Sequence, residues 1–407
     1  IEMKKKPISR RRFIKSAAVS AAGLGLIESL DLISPLAAAT SRQNTGTLQL
    51  PHRMLGSTGV QLPILQLGTS QSLSSVYDRI LHRSYREGIS VLDTALSYGR
   101  GSSHRAIAKF TPQIGDRSRL WITSKSDAWG INGLIADADK CLDQLKTDYL
   151  DLYLMHGVDS TSYLEPEYIR AGEQLRKSGK IRFFGFSTHG GDLIPMMNKA
   201  VKTGGIDAIL FRYNFRRYGE SELNRALDAC KEAGIGLIAM KTMGGVSSEN
   251  EKVVRFRSRN FSLAQAKLKS VWMDDRIDAV VSEMQNVGEV RENAAAARSG
   301  TDLSFKEQKQ LQQLAARTSH LYCLGCSQLC EGATEAETPI ADTLRYLMYH
   351  ECYGKTEHAR QLYRELPETV KRFEKSELEA ATRVCPQGID IANRLRIARE
   401  VLENGRT

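Results

Sequence analysis

The sequence predicts an α/β fold, a (β/α)8 TIM barrel followed by a mostly helical extension that contains cysteines. Eight apolar runs of β type alternate with helical patterns, and most of the helical patterns end at a glycine. Successive strand starts lie roughly 25–31 residues apart, except for a longer interval before the last strand. Eight such units in about 250 residues match the strand number and the length of this barrel.

The predicted strands are short apolar runs, near residues 64–68, 90–94, 120–124, 150–155, 183–186, 208–211, 236–240 and 279–281. The helical patterns between them include residues 75–87, 133–146, 167–178 and 220–232. An open doubly wound sheet is the alternative, but it would have a glycine-rich phosphate-binding turn after its first strand. The sequence there is Gly68-Thr69-Ser70-Gln71, which lacks that fingerprint, so the barrel is favoured.

The composition is that of an ordinary globular protein, since 41% of the 407 residues are hydrophobic and 26% are charged. The formal net charge of +10 is partly concentrated in residues 1–39. The remaining positive charge is spread out, without a basic tract in which aromatic residues are interleaved. Nucleic acid is therefore not expected as a partner.

The N-terminal run Ser9-Arg10-Arg11-Arg12-Phe13-Ile14-Lys15 resembles a twin-arginine export signal. A weakly apolar stretch follows and ends in Ala37-Ala38-Ala39, a small-residue cleavage site. Glu28 and Asp31 interrupt this stretch, so no stable membrane span is expected. The resemblance implies that the twin-arginine translocase is a partner and that the mature protein is periplasmic or extracellular.

The chain is accordingly divided into four segments. We predict a signal peptide over residues 1–39, a flexible linker over 40–52, the barrel over 53–303 and the helical extension over 304–407.

Four chemically distinctive residues follow neighbouring predicted strands. Asp93 ends the second strand and Tyr98 lies in the turn beyond it, while Lys125 and His156 follow the third and fourth strands. The carboxyl ends of parallel barrel strands meet at one face, where barrel enzymes have their active sites. We therefore expect these side chains to form a proton-donating site. The alternative is a structural Asp93–Lys125 ion pair beside a buried core histidine.

Residues 53–297 resemble an aldo-keto reductase. The motifs that carry the resemblance occur in the family's order: Arg53-Met54-Leu55-Gly56, Leu92-Asp93-Thr94-Ala95, Tyr98-Gly99, Ser124-Lys125, Asp148-Tyr149-Leu150-Asp151, Met155-His156, Gly179-Lys180-Ile181-Arg182, Tyr213-Asn214 and Glu292-Asn293. The resemblance implies that Tyr98 gives its proton to a carbonyl oxygen as hydride arrives at carbon. Lys125 would lower the pKa of Tyr98, Asp93 would keep Lys125 charged, and His156 would orient the carbonyl.

The resemblance also implies a nicotinamide coenzyme, held by residues that follow several strands: Gly68, Thr69, Ser187, Thr188, Lys241, Thr242, Gly244, Glu292 and Asn293. The chain departs from the family where Thr188 replaces an asparagine and Leu210 replaces a glutamine. Glu283 and Glu289 lie near the places where family members that use NADPH have basic residues. Carboxylates there would repel a 2′-phosphate. NAD(H) is therefore favoured over NADP(H), with loss of the coenzyme as the alternative.

The extension contains Cys323, Cys326 and Cys330 in one run and Cys385 before a proline far downstream. Ferredoxins hold a cubane cluster with a similar run of cysteines ending in Cys-Pro, although the spacing here is longer. The segment resembles the C-terminal extension of exported aldo-keto reductases that carry an iron–sulfur cluster. This implies one [4Fe–4S] cluster on the four cysteines. Disulfides and a four-cysteine zinc site are the alternatives.

Together these observations favour an exported oxidoreductase that interconverts a carbonyl and an alcohol on a small molecule, with a sugar as one candidate, and that exchanges electrons with a redox partner. One alternative is a ligand-binding barrel with a degenerate coenzyme site and a structural cluster. The other is a redox-neutral lyase or isomerase that uses Tyr98 and Lys125 for acid–base chemistry.

Overall fold

The computed structural model describes residues 48–403, which belong to one compact unit. The predicted signal peptide, including its twin-arginine motif, and linker residues 40–47 lie outside the described residues. Within the described part of the chain, no helix is long and apolar enough to cross a membrane.

A small hairpin precedes the barrel. Strand β1 (His52–Met54) pairs antiparallel with β2 (Gln61–Pro63). Leu55 and Leu62 are buried among inward-facing barrel residues, including Val91. The hairpin thereby contributes apolar side chains to the interior of the barrel.

Eight parallel strands close into a barrel in the order β10-β3-β4-β5-β6-β7-β8-β9. They are β3 (Leu65–Gly68), β4 (Val91–Asp93), β5 (Trp121–Ser126), β6 (Leu150–Met155), β7 (Ile181–Thr188), β8 (Ala208–Arg212), β9 (Gly236–Met240) and β10 (Ala279–Glu283). Most strand residues are buried, as expected for strands covered by a packed interior and by outer helices. The predicted (β/α)8 barrel is confirmed.

The helices outside the barrel are α1 (Arg79–Arg86), α2 (Ser102–Ile114), α3 (Ile131–Leu145), α4 (Pro166–Lys177), α5 (Leu193–Thr203), α6 (Ser221–Glu232), α7 (Ser248–Glu251), α8 (Leu263–Trp272) and α9 (Val287–Arg298). Helix α1 begins later than the sequence pattern suggests. The reason is Asp78, whose carboxylate accepts hydrogen bonds from the amides of Ile80 and Leu81 and so caps the helix.

The C-terminal extension is helical, as predicted. It comprises α10 (Phe305–Arg317), α11 (Ser327–Cys330), α12 (Ile340–Tyr353), α13 (Thr356–Glu365), α14 (Glu379–Val384) and α15 (Ile391–Leu402). Ser304 and Glu307 form a capping box at the start of α10. Val246 of the barrel is buried with aromatic residues of α12, so barrel and extension share a hydrophobic core.

The extension packs against the carboxyl ends of the barrel strands. Arg212, at the end of β8, donates a hydrogen bond of 2.6 Å to the carbonyl of Cys323. The amide of Gly191, beyond β7, donates to the carbonyl of Gly325, also at 2.6 Å. A Cβ at Gly190 would lie only 2.5 Å from that carbonyl oxygen, so the close approach requires a glycine. The extension therefore covers part of the barrel mouth.

Candidate active site

A buried ion pair lies at the carboxyl ends of β4 and β5. The Lys125 Nζ donates to Asp93 Oδ1 at 2.8 Å and to the carbonyl of Thr94 at 2.7 Å. Asp93 and Lys125 are 3% and 1% exposed. Parallel pairing of Asp93 with Thr123 brings the two strand ends together, as the sequence predicted. A buried pair of this kind is stable only because each charge has its partner.

Tyr98 lies in the turn after β4, beside this ion pair. Its hydroxyl is 3.5 Å from Lys125 Nζ, and the same Nζ is 4.8 Å from the centre of the tyrosine ring. Gly99 and Arg100 both adopt left-handed backbone conformations in this turn, with φ of 55° and 53°. The distance is at the long limit of a hydrogen bond.

The protonation of Tyr98 differs from the expectation. Burial raises the pKa of its phenol well above the ordinary value, and the nearby Asp93 carboxylate raises it further. We had expected Lys125 to lower this pKa, whereas in the described structure the pKa of Tyr98 is raised. The reason is that the buried phenol is poorly hydrated and that negative charges lie nearby. Tyr98 is therefore protonated near neutral pH, which suits a proton donor.

His156 follows β6 and faces the same site. Its ring lies 5.7 Å from that of Tyr98, at an angle of 74°. Its Nδ1 is hydrogen-bonded to Asp127 Oδ1 at 2.5 Å, and Asp127 Oδ2 accepts from the amide of Ser97 at 3.2 Å. With Nδ1 occupied, Nε2 is the ring nitrogen left for a substrate oxygen.

Asp127 was not identified from the sequence. Burial alone would raise the pKa of its carboxyl, but hydrogen bonds from His156 and Ser97 outweigh burial and hold the pKa below the ordinary value. The available signal was a carboxylate two residues after Lys125 at the same strand end. The structure thus brings Asp93, Tyr98, Lys125 and His156 together and adds Asp127.

Several side chains predicted to contact the coenzyme are hydrogen-bonded to other groups of the protein. Thr69 Oγ1 donates to the Asp93 carbonyl at 2.8 Å. Ser187 Oγ accepts from the amide of Gly157 at 3.0 Å, and Thr188 Oγ1 donates to the carbonyl of Gly190 at 2.9 Å. Asn293 Nδ2 donates to Ser282 Oγ at 3.1 Å. Of the other predicted contacts, Gly68 ends β3 and Glu292 lies on α9, where Ser262 donates to its carboxylate.

The remaining predicted contacts, Lys241, Thr242 and Gly244, follow β9, and Lys241 contacts the extension. Lys241 Nζ is 4.4 Å from the ring centre of Tyr349 and 5.2 Å from that of Tyr353, both on α12. Gly244 accepts a hydrogen bond from Arg216. The extension therefore contacts one of the loops to which the sequence assigned the coenzyme.

The four cysteines predicted as metal ligands converge in the extension. Cys330 is buried in a small hydrophobic core against which Cys323 and Cys385 pack. Burial, together with the neighbouring thiols of Cys323 and Cys385, raises the pKa of the Cys326 thiol to about 11. The amide of Gly325 donates to Cys323 Sγ at 3.3 Å. All four thiols are free.

The convergence of the thiols falls short of a preformed metal site. Among residues 48–403, no group of three or more histidine, cysteine, aspartate or glutamate side chains is arranged to hold a metal ion.

Comparison with known proteins decides the family. The model of the aldo/keto reductase family matches residues 65–317, more than half of the chain. The chain belongs to the aldo/keto reductase family. Among its curated relatives is L-galactose dehydrogenase of Arabidopsis thaliana, which is 24% identical over 301 residues, 65% of this chain and 93% of the relative. Another is glyoxal reductase of Bacillus subtilis, 31% identical over 228 residues, 52% of this chain and 75% of the relative.

The solved structures agree on the fold of the barrel. The holo form of an aldo-keto reductase from Bacillus halodurans superposes with a TM-score of 0.56 at 22% identity, covering 65% of this chain and 96% of that one. This aldo/keto reductase is thus an oxidoreductase of the carbonyl/alcohol type, with a small-molecule substrate, built on the family's barrel.

Proposed function

We propose that the protein reduces a carbonyl group on a small molecule, with Tyr98 as the proton donor. The observation that carries the proposal is the 3.5 Å approach of Lys125 Nζ to the Tyr98 hydroxyl, beside the buried ion pair of Lys125 with Asp93. The phenol meets the carbonyl oxygen, while His156, oriented by Asp127, hydrogen-bonds the same oxygen. The raised pKa of Tyr98 keeps its proton in place until charge develops on that oxygen.

Family members use nicotinamide coenzymes, and we propose NADH rather than NADPH here. The bound coenzyme would supply the hydride. The side chains at and beyond the end of β10 fit a coenzyme without a 2′-phosphate, because both candidate contacts, Glu283 and Glu289, are carboxylates. Glu283 accepts from Ser70 and Lys355, and Glu289 accepts from the Gln285 amide and the Asn286 side chain. The two negative charges of a 2′-phosphate would be repelled by these carboxylates.

A redox-neutral reaction on the same acid–base pair is the second candidate. The observation that favours it is the contact of Lys241 with Tyr349 and Tyr353, since the extension then occupies one side of the predicted coenzyme site. Tyr98 and Lys125 would serve in a lyase or isomerase as they do in a reductase. The two candidates differ in whether the purified protein binds NADH.

We propose that Cys323, Cys326, Cys330 and Cys385 hold one [4Fe–4S] cluster. The proposal is supported by three free thiols, of Cys323, Cys330 and Cys385, at one small core. The thiols of Cys323 and Cys385 also act on Cys326, and the Gly325 amide donates to Cys323. Thiolates are the usual ligands of such a cluster, which supplies one-electron chemistry when bound. The bond from Arg212 to the Cys323 carbonyl links this region to β8 of the barrel.

Export by the twin-arginine translocase to the periplasm or beyond, and exchange of electrons with a redox partner, complete the proposal. They rest on the Ser9–Lys15 motif and on the cluster. A sugar or sugar-derived substrate is supported by the similarity to a relative named L-galactose dehydrogenase.

The test uses full-length protein purified after maturation in the cytoplasm. Reduction of a panel of aldoses, glyoxal and simple aldehydes by NADH should be detected for at least one substrate. Tyr98→Phe should lower the turnover number by about 10²–10⁴-fold. The matched control is Tyr77→Phe, which removes a phenol that is 52% exposed and lies outside the site. NADH binding without any turnover, or Tyr98→Phe as active as the control, would overturn the proposal.

A further inference from the structure

A row of exposed arginines lies in the connection between α7 and α8. Arg255, Arg257 and Arg259 are exposed at every second position, whereas the intervening Val254 and Phe256 are half-buried. The side chains of Val254 and Phe256 pack against a small hydrophobic core to which α10 also contributes. Side chains that alternate in this way along a chain point to opposite sides, so the three guanidinium groups share the solvent side.

Hydrogen bonds hold this segment against α10. The amide of Arg257 donates to Gln310 Oε1 at 2.8 Å, and Gln310 Nε2 donates to the Arg257 carbonyl at 3.1 Å. Arg317, at the end of α10, donates to the carbonyl of Val253 at 2.7 Å. The row of arginines is therefore connected to the helix at two places and has a defined position beside it.

Helix α10 adds two lysines and an exposed aromatic ring to the same surface. Phe305 is 81% exposed, and Lys306 and Lys309 are also exposed. At 3.6 residues per turn, these three side chains lie within about 100° of one another around the helix axis. They are on the side of α10 opposite to its buried residues Leu311 and Leu314. The basic patch is defined as Arg255, Arg257, Arg259, Phe305, Lys306 and Lys309.

The cations of the basic patch are not neutralised by the protein. Among the described residues no ion pair includes any of them, whereas the adjacent Lys252 pairs with Glu249. Glu307 of α10 is only 5% exposed, and its carboxylate accepts a hydrogen bond from Ser304. Asp302, which precedes α10, is exposed. The positive charges of the patch therefore exceed the negative charge around them.

We propose that the basic patch docks the protein on an anionic phospholipid surface. Clustered arginines and lysines are attracted by anionic headgroups. Phe305 favours lipid over an acidic protein surface, because an apolar ring flanked by cations can enter the boundary below the headgroups that the cations contact. The contact is peripheral, and it does not depend on the reaction at Tyr98.

The two kinds of side chain contribute differently to this binding. Each cation near an anionic surface strengthens binding by about fivefold. This attraction is screened over about 8 Å at physiological ionic strength, so binding by the patch should weaken as salt is added. Burial of the Phe305 ring is apolar and is not screened in this way.

The experiment measures co-sedimentation of the full-length protein with vesicles. One set contains phosphatidylglycerol and phosphatidylethanolamine in equal amounts, and the other contains phosphatidylcholine alone. Every protein compared also carries Arg10→Gln, Arg11→Gln and Arg12→Gln, so that the basic N-terminal motif does not contribute. The protein with an intact patch should bind the anionic vesicles, and bind them less as salt is added, but should not bind the neutral ones.

Two changes in the patch test its two parts. The triple change Arg255→Gln, Arg257→Gln and Arg259→Gln should weaken binding to the anionic vesicles by about 100-fold. Phe305→Trp places a fluorescent indole at the exposed position. Its emission should shift to shorter wavelength with anionic vesicles if the ring enters the lipid. Circular dichroism checks that both variants fold as the unchanged protein does.

The matched control is the triple change Arg79→Gln, Arg119→Gln and Arg170→Gln, which removes equal charge from exposed arginines outside the patch and should leave binding nearly unchanged. Equal binding by the two triple variants, or no binding by the intact patch, would overturn the proposal. Binding to poly-glutamate but not to anionic vesicles would also overturn it, in favour of an acidic protein partner. Tyr98→Phe should lose turnover but bind vesicles normally, so failure of the proposed function is distinguishable.

Discussion

Lys355 of the extension donates hydrogen bonds to the Glu283 carboxylate at the end of the last barrel strand and to Ser70 after the first. These bonds from Lys355 connect the loop after α12 to the place where the barrel closes, between β10 and β3. The ends of α12 and α13 are thereby held over the mouth. The active site is consequently enclosed by residues of both the barrel and the extension.

The pH dependence of carbonyl reduction reports the protonation of Tyr98. Since burial and Asp93 raise its pKa above the ordinary value of 10.0, the donor form persists through neutral and mildly alkaline pH. Activity that depends on this proton would be lost only as pH rises through the raised pKa. The turnover number should therefore show no alkaline decline between about pH 7 and 9.5. A decline within this range would mean that Lys125 lowers the pKa of Tyr98, as the sequence predicted.

Asp127→Asn should impair the site without removing any group that touches substrate. The variant keeps the shape of the side chain but loses the carboxylate that fixes His156 Nδ1 at 2.5 Å. We expect kcat/KM for the carbonyl substrate to fall by about 10–100-fold, because misorientation of a catalytic group has effects of this size. Asp143→Asn is the control, since Asp143 pairs with Lys146 on the exposed surface. Equal kinetics for the two variants would refute the role of Asp127.

The Asp93–Lys125 pair should show strong coupling in stability. Lys125→Met leaves a buried carboxylate uncompensated, and we expect a loss of about 3–5 kcal/mol in the free energy of unfolding. The double variant Asp93→Asn, Lys125→Met should recover much of that loss, because no unpaired charge remains. Chemical denaturation of the four proteins in this cycle gives the coupling energy. A double variant less stable than Lys125→Met would contradict the prediction.

The cluster proposal predicts a selective effect of cysteine replacement. Wild-type protein prepared without air should contain about four irons per chain and absorb in the visible region. Cys385→Ser should lose most of this iron. Cys352→Ser is the control, because Cys352 bonds to the Gly245 carbonyl and lies outside the four-thiol group. Iron content that is insensitive to Cys385, or zinc in place of iron, would rule out the proposed cluster.

What the sequence by itself determined is local. The strands Leu150–Met155 and Gly236–Met240 have the predicted limits, because apolar runs bounded by turn residues specify buried strands through nearest neighbours along the chain. The sequence predicted that Asp93, Tyr98, Lys125 and His156 lie together because each is at or just beyond the end of a strand, and parallel closure brings all strand ends to one face.

Only the tertiary structure decided the protonation of Tyr98 and which residues of the extension lie at the mouth of the barrel. The pKa of a phenol depends on its hydration and on every nearby charge, and neither can be predicted from the spacing of residues in the sequence. Likewise, Tyr349 and Arg345 meet Lys241 across about a hundred residues of chain through packing of α12, a contact that no local periodicity encodes. Long-range burial thus sets the electrostatics around Asp93, Tyr98, Lys125 and His156, whose proximity the sequence predicted.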